Sequence, residues 1–472
     1  MRYIDSLNLD SGIECFILIE PGRGYMIPVL REKFKNSKII ALHVDGSLRQ
    51  DNLQNDVPAL YGADSADVQK FLEAEAPEAG ASRIRVIEWR PSMNYYGEAY
   101  VKLLSHAVEF IKRTDAGKRT ASVFGRRWVR NFFKNLRYVK QTLLYRTADI
   151  PVIITGSGPG LEKALPVIRS MKDECLILAA SSSVMALYHG GVSPDIVAAT
   201  DGGTWALRHI YPYFRHCAAE IGSGVVKDNG AVKDSGTVKN SGAFAANLCA
   251  ALPSQLRDTP LLIMSDGSFW QNVVLHELGL PSISVPQRGT VTASAVDLAL
   301  TLSGGNIYLA GVDLRVRDIR THARPYAFDH LLFDRACRFT PVYSQSFVRS
   351  SLIQDGGGLG IYSAWFKNQL ASWPKRIFSL TAGHEVFENA PARIPAAVKK
   401  TDGYFKTINV NDDPALFCKR GIAALSAAMK GGQFAANIKE ELAPLLLPEK
   451  KEVTEKELDE ALTEAVCGVS NG

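Results

Sequence analysis

The 472-residue sequence is poor in the features that mark several protein classes. Its seven cysteines (15, 175, 217, 249, 337, 418 and 467) are scattered, with no C-x-x-C pair. That spacing encodes neither a disulfide framework nor a zinc centre, and predicts reduced thiols in a cytoplasmic protein with no metal site. No run approaches the roughly 18 uninterrupted apolar residues of a membrane span. The start, Met1-Arg-Tyr-Ile-Asp-Ser-Leu7, lacks the apolar core of a signal peptide, so no membrane span and no export are expected. Charge of one sign is also lacking: the net +5 does not by itself point to nucleic acid. What is present, 46 % hydrophobic and 22 % charged residues, suffices for buried cores in two or three domains.

The most informative stretch is Ile150-Pro-Val-Ile-Ile-Thr-Gly-Ser-Gly-Pro-Gly-Leu-Glu162. Val152 to Ile154 predict a buried strand. Gly156, Ser157, Gly158, Pro159 and Gly160 predict a tight turn, and Leu161, Leu165 and Ile168 mark one face of a following helix. Such a turn lets backbone N–H groups approach a phosphate at a helix N-terminus. It is not a Walker A loop, because Glu162 stands where lysine is required, and Leu161 breaks G-x-G-x-x-G. A tight strand-to-helix turn without a ligand fits the same residues.

Before this stretch, Glu14–Glu20, a Gly22/Gly24 turn, a helix through Ile27, Leu30 and Phe34, and Lys38–Asp45 predict a β-α-β unit. An acid about twenty residues beyond a glycine turn suits a ribose, which makes Asp45 a candidate; the incomplete glycine pattern also suits a purely structural module. Residues 83–88 predict a further strand. From Glu98 to Arg146 the periodicity is helical, in two segments, the second through Trp128, Phe132, Phe133, Leu136 and Val139. Residues 118–146 hold nine Lys or Arg and no acid. Such a stretch interleaved with aromatics suits an acidic partner or nucleic acid, and also a linking helix with its aromatics in a core and its basic face in water, which is the preferred reading.

Residues 150–325 alternate strands and helices again. Strands at 175–180, 194–201, 261–266 and 307–313 are expected, the first followed by Ser181, the last three ending in Asp201, Asp266 and Asp313. In open α/β sheets ligands bind at that strand edge, so the three aspartates predict a shared site. Gly289-Thr290 before an Ala-rich helix offers a second anion-binding terminus. His322 follows the Asp313 strand, where a general base is useful. A tandem hexapeptide over 224–247 is too short for a solenoid and predicts an expanded solvated loop, its lysines 227, 233 and 239 included. Beyond residue 340 the pattern is helical. The expected organisation is an N-terminal Rossmann-like domain (1–115), a basic helical linker (116–148), a central domain (149–345) and a mainly helical C-terminal region (346–472).

Four separated motifs together resemble a known family. They are Gly156-Ser-Gly-Pro-Gly-Leu-Glu162, Val192-Ser-Pro-Asp-Ile-Val197 with Asp201, Gly289-Thr-Val-Thr-Ala-Ser-Ala295, and Ile307-Tyr-Leu-Ala-Gly-Val-Asp-Leu314 followed by Thr321-His-Ala323. With Phe124–Leu136 ahead of them, they resemble the Maf (motility accessory factor) flagellin glycosyltransferases, whose central domain is related to MptE-like pterin pyrophosphokinases. The resemblance spans most of residues 14–375. Gly160 departs from it where serine is expected, and the hexapeptide insertion is foreign to it.

The resemblance implies two Rossmann-like doubly wound domains, the central one sialyltransferase-like. It further implies transfer of a pseudaminic- or legionaminic-type nonulosonic acid from a CMP-sugar to Ser/Thr hydroxyls of flagellin in the cytoplasm; Mg²⁺ is not required, though the aspartates leave it open. His322 and Asp313 are then the catalytic candidates. The nucleotide-binding candidates are Gly156, Ser157, Gly158, Pro159, Gly160, Ser181, Asp201, Asp266, Gly289 and Thr290. Two other readings stay open: a pyrophosphokinase using ATP and Mg²⁺ held by Asp201, Asp266 and Asp313, and a non-catalytic flagellin-binding protein.

Overall fold

Runs apolar at every position become strands buried on both faces, the signature of parallel sheets covered by helices. The computed structural model describes residues 2–472 except 11, 53–55, 63–64, 77–82, 223–241, 318, 355–357, 371, 392–404, 411–412, 451, 468 and 470–472. The chain divides into two units, 1–123 and 124–472.

The first unit holds strands β1 (Cys15–Ile19), β2 (Lys38–His43), β3 (Ala59–Tyr61) and β4 (Ile84–Glu88), all parallel, in the order β3-β2-β1-β4. Alternate side chains of β1 serve opposite faces. Cys15, Ile17 and Ile19 pack with Val68, Leu72 and Tyr100, whereas Phe16 and Leu18 pack with Ile27 and Leu30. The unit is therefore doubly wound.

The second unit holds β5 (Gln141–Tyr145), β6 (Val152–Thr155), β7 (Leu176–Ala180), β8 (Ile196–Ala199), β9 (Ala243–Asn247), β10 (Leu261–Ser265), β11 (Ser282–Ser284), β12 (Ile307–Ala310), β13 (Ile377–Ser379) and β14 (Phe405–Asn409). Their order is β13-β12-β6-β7-β8-β9-β10-β5-β14, with β11 beside β10. Every pairing is parallel except β14 on β5. Ile153 and Ile177 face a core shared with Phe132, Leu161 and Leu442, and Val152, Ile154 and Leu178 face one shared with Ala295, Phe366 and Trp373. Both faces are covered, and the fold class is the α/β one expected.

Several local expectations are corrected. Residues 98–136 form one 39-residue helix rather than two, because its two interior glycines, Gly117 and Gly125, cost only about 1 kcal/mol each and no proline intervenes. Residues 141–145, expected at the end of the helical linker, are β5, whose Leu143 is buried while Leu144 is exposed. The hexapeptide stretch splits: residues 224–241, with lysines 227, 233 and 239, lie outside the described residues. What reads as its decayed last copy, Ala243–Asn247, is instead the fully buried strand β9. The C-terminal region contains the helices Pro414–Lys430, Ala435–Leu446 and Glu455–Ala465, and also contributes the strands β13 and β14.

The aromatic segment 124–136 packs as expected. Val129, Phe132, Phe133 and Leu136 are buried, while Arg126, Arg127, Arg130 and Lys134 face solvent. Buried Asn135 donates to the carbonyls of Leu248 and Ala250, 2.8 Å each, and Asn131 donates to those of Gly202 (3.2 Å) and Cys249 (3.0 Å). These bonds tie the helix to the turns after β8 and β9.

Candidate functional site

Strands β6 to β10 advance across the sheet in one direction, and β12 returns to the other side of β6. The connections leaving β6 and β12 thus part in opposite directions, the topological switch point where open α/β sheets bind ligands. A cleft of about 230 Å³ opens there. Ser157 and Gly158 from the turn after β6, Asp313 and Arg315 from the segment after β12, Thr290 and His322 line it. Five candidates separated by up to 165 residues in sequence, Ser157, Gly158, Thr290, Asp313 and His322, therefore meet in one place.

Three of the turn's N–H groups are used inside the protein. Gly156 N–H donates to the Ala310 carbonyl (2.8 Å), Gly158 N–H to that of Gly311 (2.7 Å), and Gly160 N–H to the Asp313 carboxylate (2.6 Å). The anion at the start of the helix Gly160–Met171 is thus a protein carboxylate. A Cβ at Gly158 would overlap the Asp313 carboxylate and sit 2.7 Å from the Gly311 carbonyl oxygen; one at Gly160 would also collide with that carboxylate. These glycines are needed for close approach to β12. They shape the cleft, and the expected phosphate cradle of N–H groups at 156, 158 and 160 is not available. Pro159 sits at the N-cap of the same helix.

Asp313 is buried, and its Oδ1 lies 3.0 Å from Arg317 Nε, a charge contact without hydrogen-bond alignment. Glu162, the residue that rules out a Walker A loop, accepts from Arg320 Nη1 at 2.9 and 3.1 Å and from the Arg324 N–H at 2.9 Å. The Ala323 N–H donates to the Ser157 carbonyl (2.7 Å). Residues 320–324 are thereby pinned over the glycine turn, which holds His322 at the cleft. Sequence reasoning missed Glu162 as a positioning group; its place in the first turn of the helix was the available signal.

The remaining candidates divide. Thr290 caps the helix Val291–Leu302, accepting from the Ala293 N–H (3.1 Å), and Thr292 also lines the cleft. The first N–H groups of a helix have no intrahelical partner, so this terminus is the open anion-binding end. Gly289, at φ +74°, makes the turn that presents it. Ser181 is buried under the strand end, and its neighbour Ser182 lines the cleft instead. Asp201 and Asp266 do not line this cleft. Asp201 accepts from the Gly203 N–H (2.8 Å) beside β8, three strand spacings from β12, or about 14 Å. Asp266 accepts from the Ser268 N–H and from Gln271 and Gln287 beside β10, about 24 Å away. Strand-end position is common to the three aspartates, and the sheet order sets Asp201 and Asp266 three and five strands from Asp313. In the first unit, Asp45 accepts from the Ser47 N–H (2.8 Å).

The His322 ring stacks on Tyr326 (centroids 3.9 Å apart), and its Nδ1 lies 2.7 Å from Thr321 Oγ1. Burial, with the nearby Arg349 and His209, pushes its pKa from 6.5 down to about 3. Burial likewise lowers His209 to about 4, against the pull of Asp201. Both rings are neutral at pH 7. Between pH 6.5 and 4 the unfolded chain takes up protons that the folded one refuses, so stability falls as pH falls through this window. The slope of unfolding free energy against pH is expected to drop by about 1 kcal/mol per pH unit in His322→Asn, measured by denaturant unfolding from pH 7 to 4.5. An unchanged slope would contradict the burial account.

Comparison with known proteins bears on this geometry. Residues 126–231 match a family model described as 6-hydroxymethylpterin diphosphokinase MptE-like. Two uncharacterized proteins of Treponema pallidum (strain Nichols) are similar. One is 25% identical over 275 residues, covering 57% of this chain and 56% of the relative; the other is 29% identical over 135 residues, covering 27% and 63%. The chain thus spans under two thirds of either curated relative. A solved MAf glycosyltransferase from Magnetospirillum magneticum AMB-1 superposes with a TM-score of 0.50 at 14% identity, over 97% of this chain and 73% of that one. The fold is that of a Maf glycosyltransferase. The resemblance in sequence motifs therefore extends to the architecture, MptE-like segment included. Among the described residues no helix is long and apolar enough to cross a membrane.

Proposed function

We propose that the protein is a glycosyltransferase whose cleft between β6 and β12 binds a CMP-activated nonulosonic acid and passes the sugar to a Ser or Thr hydroxyl of flagellin in the cytoplasm. The observation that carries this reading is the meeting of an open helix N-terminus, hydroxyls and a neutral histidine at one switch-point cleft. The phosphate of CMP fits the start of the helix Val291–Leu302, near Ser182 and Arg315, where N–H donors and a cation stabilise the charge that develops on leaving. In the transfer step the bond from the anomeric carbon to the phosphate oxygen breaks and CMP departs. The acceptor oxygen bonds to that carbon, and its proton passes to the His322 imidazole. Asp313, tied to Gly160 and Arg317, acts as a positioning residue in this scheme. A phosphate held by N–H donors requires no metal ion.

The MptE-like match favours a second reading, diphosphoryl transfer from ATP with Mg²⁺. The matched segment stops at residue 231, short of Asp266 and Asp313, and the three aspartates that would hold the metal lie at separate strand ends. Calorimetry with CMP, CTP and ATP–Mg²⁺ separates the readings. Binding of CMP or CTP that is lost in Thr292→Phe, a substitution that fills the cleft, supports the glycosyltransferase. Preference for ATP–Mg²⁺ supports the kinase, and binding of flagellin without any nucleotide supports a non-catalytic partner.

A further inference from the structure

The helix Val342–Gln354 is inside out. Ser346 and Ser350 are buried, whereas Tyr343, Phe347, Val348 and Leu352 are 68, 53, 56 and 72 % exposed. Positions 343 and 347, like 348 and 352, lie four residues apart, so these side chains form one band on the outer face. A helix placed by burial of its apolar residues alone would turn the serines outward instead. Phe339, 90 % exposed, stands in the turn just before the helix, and Gln345 holds that turn by donating to the Thr340 carbonyl (2.9 Å). Together the five side chains expose on the order of 600 Å², the upper end of what a monomer leaves open, and patches of that size mark interaction sites. Between Asp334 and Asp355 the sequence holds Arg335, Arg338 and Arg349 and no acid. Arg335 and Arg338 are exposed beside Phe339. The inner face of the same helix reaches the candidate site, where Ser346 and Arg349 line a cavity that His322 also lines.

We propose that the outer face of the helix Val342–Gln354 is the docking site of the acceptor protein, which binds it through an apolar segment flanked by carboxylates. The inference rests on the reading of flagellin as acceptor. The apolar band supplies the centre of an interface and the two exposed arginines a cationic rim, so the complementary partner is apolar with acidic edges. A second copy of this chain is a poor match, because it offers the same apolar side chains and arginines with no carboxylate from 335 to 354 to meet them. A lipid surface would meet the same residues, but its place beside the cleft would serve no step of sugar transfer to a protein. A helix is about 10 Å thick, so a segment gripped on the outer face lies about that far from the cavity at His322. About three or four further residues of the acceptor chain span such a distance and bring a hydroxyl to the cleft.

The test is calorimetry of purified monomeric flagellin on the full chain, at low and high salt, as wild type, Tyr343→Ser/Phe347→Ser and Arg335→Glu/Arg338→Glu. All four positions are exposed, so both variants are expected to melt at the wild-type temperature. Flagellin affinity falls at least about tenfold in Tyr343→Ser/Phe347→Ser. It falls about tenfold in Arg335→Glu/Arg338→Glu at low salt, and less at high salt. In the transfer assay the aromatic variant raises KM for flagellin and leaves kcat unchanged. Wild-type flagellin affinity in both variants overturns the docking site while leaving flagellin as the acceptor. Unchanged flagellin affinity with loss of a wild-type dimer in sedimentation assigns the face to a second copy, and with loss of binding to phosphatidylglycerol vesicles assigns it to a membrane; each overturns the proposal. Failure of flagellin to bind the wild type overturns the acceptor reading, and the docking site with it.

Discussion

Asp313→Ala is expected to lower the stability of the protein by about 3 kcal/mol, the cost typical of removing one partner of a buried charge pair. Two groups lose their partner at once. The Gly160 N–H, at the positive end of its helix, no longer has the carboxylate at 2.6 Å, and Arg317 Nε loses the charge at 3.0 Å. Both groups sit at the switch point, so the glycine turn and the segment after β12 lose one of the links between them. Asp313→Asn preserves the shape and an acceptor for Gly160, so about half of the loss is expected to return. Denaturant unfolding of the full chain measures both variants. Wild-type stability in Asp313→Ala would show that the carboxylate does not hold the turn, and would restore Asp313 as a free acid or base.

His322→Ala is expected to reduce sugar transfer by about 10²- to 10⁴-fold, the usual contribution of a positioned general base. CMP affinity is expected to stay within about twofold, because in the proposed transfer the imidazole meets the acceptor and the sugar rather than the phosphate. Since the ring of the free protein stays neutral down to about pH 3, the acid limb of kcat/KM lies well below 6.5, the ordinary histidine value. A base with so low a pKa drives proton transfer weakly, so the rate depends on its position between Thr321 and Tyr326. Thr321→Val, which removes the hydroxyl 2.7 Å from Nδ1, therefore lowers kcat more than it raises KM. Full transfer activity in His322→Ala would remove the residue from the mechanism.

Both doubly wound units were legible because parallel strands buried on two faces leave continuous apolar runs. Runs such as Leu176–Ala180 and Leu261–Ser265 can fold in few other ways. The glycine turn and the Thr290 terminus were legible for the same reason, as local backbone chemistry next to such runs. Strands β5 and β14 were not, because Gln141–Tyr145 and Phe405–Asn409 are short, half-polar and defined by pairing with each other. Nor was β9, whose Ala-rich composition reads as repeat decay until burial between β8 and β10 is known.

Strand order limited the reading of the site most. Asp201, Asp266 and Asp313 look equivalent along the chain, and only the sheet order puts three and five strand spacings between the first two and the last. The same limit hid the role of Glu162, whose partner lies 158 residues downstream, and no periodicity reports such a contact.

Sugar transfer is read from the intact mass of flagellin after incubation with the purified protein and a CMP-nonulosonic acid. A mass increase of one or more nonulosonic acid residues, with matching release of CMP, is expected in the wild type and not in His322→Ala. Flagellin that is bound but unchanged in mass, with no CMP released, would contradict the transfer.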